Sequence, residues 1–162
     1  SLLLETLLQF KGRTRNVITS SISQCGSIRD WEDLHYSQRK YSAHGAYSES
    51  KLLDAMLSTE FAARLQQRGF DTDRITCHCL DPGTVNTKML LAGWGRIGIE
   101  MDDALDQSWI CSSPEVEDVT GQYSTRRLAR RASRLAYDQQ ERDKMCEILS
   151  DLAPEAAKVW EF

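Results

Sequence analysis

Apolar positions along the chain follow two periods. Over residues 46–68, Leu53, Leu57, Phe61 and Leu65 recur at helical spacing beside Leu52 and Met56. Glu49, Glu60, Arg64 and Gln67 fall on the other faces, which predicts a long amphipathic helix stopped at Gly69. Two short runs, residues 15–21 and 75–80, have the β-branched and apolar character of buried strands, and Asp81-Pro82-Gly83 turns the chain after the second. Ahead of the first lies a helical-looking run, Leu2-Leu3-Leu4-Glu5-Thr6-Leu7-Leu8, with Gly12 as its expected C-cap. Residues 23–45 are polar and lack a period, a loop length that in compact domains usually serves function. Downstream, residues 88–100 read as an apolar, Gly-rich flap or short helix, and Asp102 as the start of a helix through Cys111. Capping chemistry at Ser112-Ser113-Pro114-Glu115, a third strand at 120–124 and a terminal helix over 135–152 complete the pattern. Strands alternating with helices predict an α/β fold, a parallel sheet covered by helices.

Composition narrows the reading. A chain of 162 residues has room for one domain. Its 20 Lys and Arg against 24 Asp and Glu leave a net charge of −4, which argues against binding nucleic acid or anionic membrane with the whole surface. The five cysteines are odd in number and form no C-x-x-C pair, so reduced thiols and an intracellular setting, cytoplasmic or organelle-associated, are expected. No apolar stretch approaches the ~20 residues of a membrane span. Because the sequence opens at Ser1 inside an apolar stripe, a truncated chain is expected.

Candidate chemistry centres on the long helix. Tyr47 and Lys51 are four apart and so project from one face, one turn apart. A phenol, with its ordinary pKa near ~10, is too weak an acid for proton transfer at neutral pH. A neighbouring ammonium stabilises the phenolate and suits the pair to exchange a proton with an alcohol or carbonyl oxygen. Ser20 and Ser21 end the first strand, where a hydroxyl could hydrogen-bond that same oxygen and where ligands gather in open α/β sheets. Taken alone, Tyr-x-x-x-Lys is common on solvated helix faces, and the order of the surrounding elements gives it weight.

That order, with Asn16-Val17-Ile18-Thr19-Ser20-Ser21, Asp33-Leu34, Lys40-Tyr41-Ser42, Ala46-Tyr47-Ser48-Glu49-Ser50-Lys51-Leu52 and Asp81-Pro82-Gly83-Thr84-Val85-Asn86-Thr87, resembles the short-chain dehydrogenase/reductase family and its retinol dehydrogenase-like branch. The resemblance covers most of residues 10–125. It implies the C-terminal half of a doubly wound, Rossmann-type parallel sheet, about three strands flanked by helices. Residues 1–162 would then form one incomplete domain without the N-terminal dinucleotide-binding half. The implied activity is an oxidoreductase interconverting an alcohol and a carbonyl with NADP or NAD, the phosphorylated form slightly favoured. Tyr47 would be the acid/base, with Lys51 lowering its pKa and holding the nicotinamide ribose, and Ser21 would orient the substrate. Pro82, Gly83, Val85 and Thr87 would wrap the nicotinamide end of the cofactor. Residues 88–101 match the variable substrate segment, and Met89, Leu90, Leu91 and Trp94 favour a small lipophilic substrate. The family's Gly-rich phosphate turn, its adenosine-ribose selector, its Asn-Ala-Gly segment and the Asn of the preceding helix have no counterpart.

Other patterns carry less. Gly93-Trp94-Gly95-Arg96-Ile97-Gly98 spells G-x-G-x-x-G but follows no strand, so a flap is the expected reading. In Cys77-His78-Cys79 the histidine points away from both thiols on a strand, which excludes a shared metal site, and no metal is expected. Ser21, His78 and Asp81 lack the nucleophile elbow of a hydrolase. Arg126, Arg127, Arg130, Arg131 and Arg134 form a basic cluster, for which a solvated stretch is favoured over a phosphate-binding or nuclear-targeting role. The alternative to an enzyme is a non-catalytic fragment or interaction protein whose exposed sheet edge pairs with a partner or with a second copy.

Overall fold

The computed structural model describes residues 4–160. Leu2 and Leu3 of the expected N-terminal helix lie outside them. The elements that position the site are α1 (Leu4–Gln9), β1 (Thr14–Thr19), α2 (Ala43–Gln67), β2 (Ile75–Asp81), α3 (Lys88–Trp94), α4 (Asp106–Ser112), β3 (Gln122–Thr125), β4 (Leu128–Arg130), α5 (Gln139–Leu152) and α6 (Pro154–Trp160). The sheet order is β1-β2-β3-β4; the first three strands are parallel and β4 runs antiparallel to β3. Thr14 pairs with Ile75 and Thr19 with Leu80, so β1 and β2 end level.

Alternation along β2 divides the core. Ile75 and Cys77 pack with Phe61, Ala62 and Leu65 of α2, while Cys79 packs with Leu52, Ala55 and Met56. Thr76, His78 and Leu80 turn to the opposite face, where Trp109 and Ile110 of α4 approach Leu80. Cys77 and His78 therefore diverge as expected, and no metal-ligand group occurs among the described residues. Burial pushes both the Cys77 and the Cys79 thiols up to about 12.

The long helix begins three residues earlier than its apolar pattern, because the Ser42 hydroxyl accepts the Gly45 N–H at 3.2 Å. It ends in a Schellman motif: Phe70 N–H donates to Leu65 O and Gly69 N–H to Gln66 O, with Gly69 at φ 76°. Glu49 and Glu60, expected on solvated faces, are instead buried. The segment 28–39 covers one flank of the helix and α5 the other, so each carboxylate needs a partner. Glu49 accepts both terminal Arg39 nitrogens, Nη1 and Nη2 (3.0 and 2.7 Å), Tyr36 Oη and Arg29 N–H; Glu60 accepts Arg64 and Arg142. Burial alone would raise the pKa of Glu60, but these two guanidinium groups outweigh it and hold the carboxyl below its ordinary value.

Other expectations are corrected. Gly12 does not cap α1, which closes at Gln9 with Phe10 N–H on Thr6 O. Asp102 sits in a 3-10 turn, and α4 begins only at Asp106. The terminal helix starts at Gln139, because Asp138 caps it by accepting the Glu141 N–H, and Leu135 lies in a preceding 3-10 turn. The arginine stretch is exposed, but part of it is ordered as the β3–β4 hairpin, with Arg126 (φ 52°) and Arg127 (φ 59°) both left-handed at its turn.

Candidate active site

Two hydrogen bonds staple the end of β1 to α2. Ser20 Oγ donates to Lys51 O at 2.6 Å, and Lys51 Nζ donates to Thr19 O at 3.0 Å. Ser20 is thereby consumed in structure, and Ser21, the next residue, leads into the loop. Ser21 is buried, and its Oγ accepts the Ser23 N–H at 3.1 Å, leaving its own proton to donate elsewhere. Tyr47 lies half-buried one turn before Lys51, whose ammonium stands 5.9 Å from the Tyr47 ring centroid. The ammonium is held by Thr19 O and by Asp54 Oδ2 at 2.7 Å, one helical turn onward.

The turn beyond β2 opens on the same sheet edge, since Ser20 N–H reaches Leu80 O. Gly83 adopts φ 76°, and a Cβ built there would meet open space. Pro82 and Gly83 thus sit next to the end of β1, at the C-terminal edge where α/β sheets hold ligands. Val85 is drawn away into a parallel bridge with Ile99, and the Thr87 hydroxyl caps α3 by accepting the Leu90 N–H at 3.4 Å. Ser21, Tyr47 and Lys51 therefore gather around one strand end, Pro82 and Gly83 adjoin it, and Val85 and Thr87 shape the flap.

The flap is a short helix closed by a clasp. Asn86 Nδ2 donates to Gly98 O and to Glu100 Oε1, both at 2.8 Å, and Asn86 Oδ1 accepts the Gly98 N–H. The G-x-G-x-x-G letters fall at the C-terminal end of α3, with Gly95 at φ 79° following Trp94; no strand precedes them and no helix starts at Gly98. Met89, Trp94, Ile97 and Met101 are all more than half exposed on this segment.

Three residues of the site were not anticipated. Asp54 holds Lys51, and its i,i+3 spacing on the helix was the available signal. Asp81, the last residue of β2, ties the loop after β1 to the end of β3 by accepting Ile22 N–H (3.2 Å) and Thr125 Oγ1 (3.0 Å). Gln24 bridges Ser21 O to the Ser133 N–H, both at 2.9 Å, a contact across 109 residues that no local pattern carries.

No family model matches the chain. Among curated proteins it is 30% identical over 136 residues to retinol dehydrogenase 14 of Homo sapiens, covering 75% of this chain and 38% of that protein. It is 29% identical over 127 residues to polyprenol dehydrogenase of Mus musculus, covering 70% and 36%. To retinol dehydrogenase 13 of Homo sapiens it is 32% identical over 82 residues, covering 51% and 23%. The chain thus spans under two fifths of the length of these relatives. The crystal structure of an uncharacterised protein from Mycobacterium paratuberculosis superposes with a TM-score of 0.65 at 24% identity, covering 88% of this chain and 51% of that one, which shows a shared fold. Strand order, helix placement and these alignments agree: the chain is a partial match to the retinol dehydrogenase-like branch of the short-chain dehydrogenase/reductase family.

Proposed function

We propose that this chain carries the proton-transfer part of an NAD(P)-dependent oxidoreductase that interconverts a lipophilic alcohol and its carbonyl. The observation that carries the reading is the double staple between Lys51 and Thr19–Ser20, which holds the Tyr47–Lys51 turn of α2 against the strand end that delivers Ser21. In the reducing direction Tyr47 Oη gives its proton to the carbonyl oxygen, and Ser21 Oγ donates a hydrogen bond to the same atom. Lys51 stabilises the phenolate left behind, and the one N–H not given to Thr19 O or Asp54 can donate to a ribose hydroxyl. The hydride is the contribution of the nicotinamide dinucleotide when bound. Pro82 and the open space at Gly83 fit its nicotinamide end, with Val85 and Thr87 on the adjoining flap. Among the described residues no Gly-rich strand-to-helix turn fits its pyrophosphate. The names of the relatives, retinol and polyprenol dehydrogenases, favour an isoprenoid-like substrate against the apolar flap.

Saturation-transfer NMR with NADPH and with NADH tests the site: nicotinamide and proximal ribose protons receive saturation, and Lys51→Met removes it. Contact through the adenine alone would overturn the assignment. For the reaction, measured on this chain joined to a Gly-rich dinucleotide-binding half, Tyr47→Phe lowers kcat of retinal reduction by roughly 10²–10⁴ while dinucleotide binding persists. Turnover within tenfold of wild type refutes the role of Tyr47.

A second reading rests on the sheet edge. Among the described residues β1 pairs only with β2, and an apolar cavity of about 340 Å³ lies beside it, lined by Ile18, Leu57, Phe61, Leu149 and Ala157. An unpaired edge of this kind favours an interaction module or a homo-oligomer. A monomer in light scattering at high concentration counts against self-association.

A further inference from the structure

The arginines of the β3–β4 hairpin are not used by the proton-transfer reading. Tyr123 pairs with Arg130 across the hairpin, and Thr125 with Leu128, so Tyr123, Thr125 and Arg130 share one sheet face. That face meets the loop after Ser21, and the two border an open cavity of about 440 Å³. Arg130 and Arg131 stand on one wall; Ile22, Cys25, Tyr123 and Ala132 supply the apolar body.

Charge in this cavity is uncompensated. No acidic side chain lines it, and neither Arg130 nor Arg131 forms an ion pair among the described residues. Asp81 lies behind Thr125, with both carboxylate oxygens engaged by Ile22 N–H and Thr125 Oγ1. Arg127, by contrast, leans the other way, toward Asp106 at 3.6 Å. Arg131 is braced: its guanidinium stacks 5.0 Å from the Tyr137 ring, and Tyr137 Oη is pinned by the Ala132 N–H at 3.0 Å. Tyr123, also in the lining, is 5% exposed, and its buried hydroxyl has no hydrogen-bond partner among the described residues.

We propose that this cavity is a binding site for a carboxylate-bearing amphiphile. The carboxylate takes the planar donors of Arg130 and Arg131, and a short hydrocarbon body lies against Ile22, Cys25 and Tyr123. The site needs no nicotinamide cofactor, and Ser21, Tyr47 and Lys51 are not part of its lining. Gln24 nonetheless makes one unit of its two walls, because it joins Ser21 O to the Ser133 N–H.

The test is an NMR titration of this chain with octanoate, following the Arg Nε–H signals and the Ser133 amide. Octanol and inorganic phosphate serve as separate probes. Octanoate produces saturable shifts at Arg130, Arg131 and Ser133, and the double change Arg130→Gln with Arg131→Gln weakens binding about tenfold or more with the circular dichroism unaltered. Octanol binding as tightly makes the arginines irrelevant; phosphate binding as tightly makes the apolar wall irrelevant; either overturns the proposal. So do equal shifts at Arg126 and Arg134, which mean diffuse attraction to a basic surface. Because no turnover is measured, failure here leaves the role of Tyr47 untouched, and an inactive Tyr47 leaves octanoate binding intact.

Discussion

His78 sits at mid-sheet with no exposure, its Nε2 3.2 Å from Thr76 Oγ1 and its Nδ1 unpartnered. Burial, with Arg15 adding repulsion, lowers its pKa from 6.5 to about 4. The folded protein therefore takes up this proton less readily than the unfolded chain. The stability that a neutral His78 permits is complete above pH 6.5 and drains away as pH falls toward 4, a loss of about 3 kcal/mol over that window. Glu49 and Glu60 are held below their ordinary carboxylate values and so act lower on the scale. Urea midpoints taken from about pH 7 to about pH 5 should fall more steeply for the parent than for His78→Gln. Parallel slopes would remove His78 as the source. The same imidazole, buried and lacking a carboxylate neighbour, has no access to the chemistry at the strand ends.

Elements that advertise themselves by local period were legible: α2, β1 and β2 stand within a few residues of where Leu52, Met56, Val17 and Ile75 put them. What escaped depends on distant partners. Glu60 looked solvated because Arg142, which buries it, lies 82 residues away. The fourth strand was invisible because Arg126 and Arg127 occupy left-handed positions that normally call for Asn or Gly. For the candidate site, the helix spacing displayed Tyr47 and Lys51, whereas Gln24 and Asp81 act through the fold. The flap shows how strictly one position can be set. A Cβ on Gly98 would fall 2.5 Å from Thr84 O and 2.7 Å from Thr84 C, both backbone atoms that cannot swing aside. Gly98→Ala should spring the Asn86 clasp, speeding tryptic cleavage after Arg96 while leaving the unfolding free energy within about 1 kcal/mol of the parent. Unchanged cleavage would mean that the loop absorbs the methyl group.

At the scale of the whole molecule, three chain segments far apart in sequence converge on one sheet edge: the loop after β1, the turn after β2 and the hairpin after β3. Asp81 holds the first to the third, and Gln24 repeats the connection from the other side. The opposite flank is simpler, since among the described residues β1 has a neighbour on one side only. In a parallel pair the amides of a strand point alternately to either side. Thr14 and Ser20 N–H groups donate to Arg74 O and Leu80 O, so Asn16 and Ile18, in the same phase, also face β2. Arg15, Val17 and Thr19 direct theirs outward. Deuterium uptake along this strand should therefore alternate residue by residue, slow at Asn16 and Ile18 and fast at Arg15, Val17 and Thr19. Uniform slowness at all five would report that the outer amides have found acceptors in solution, and its loss on dilution would identify those acceptors as belonging to another molecule.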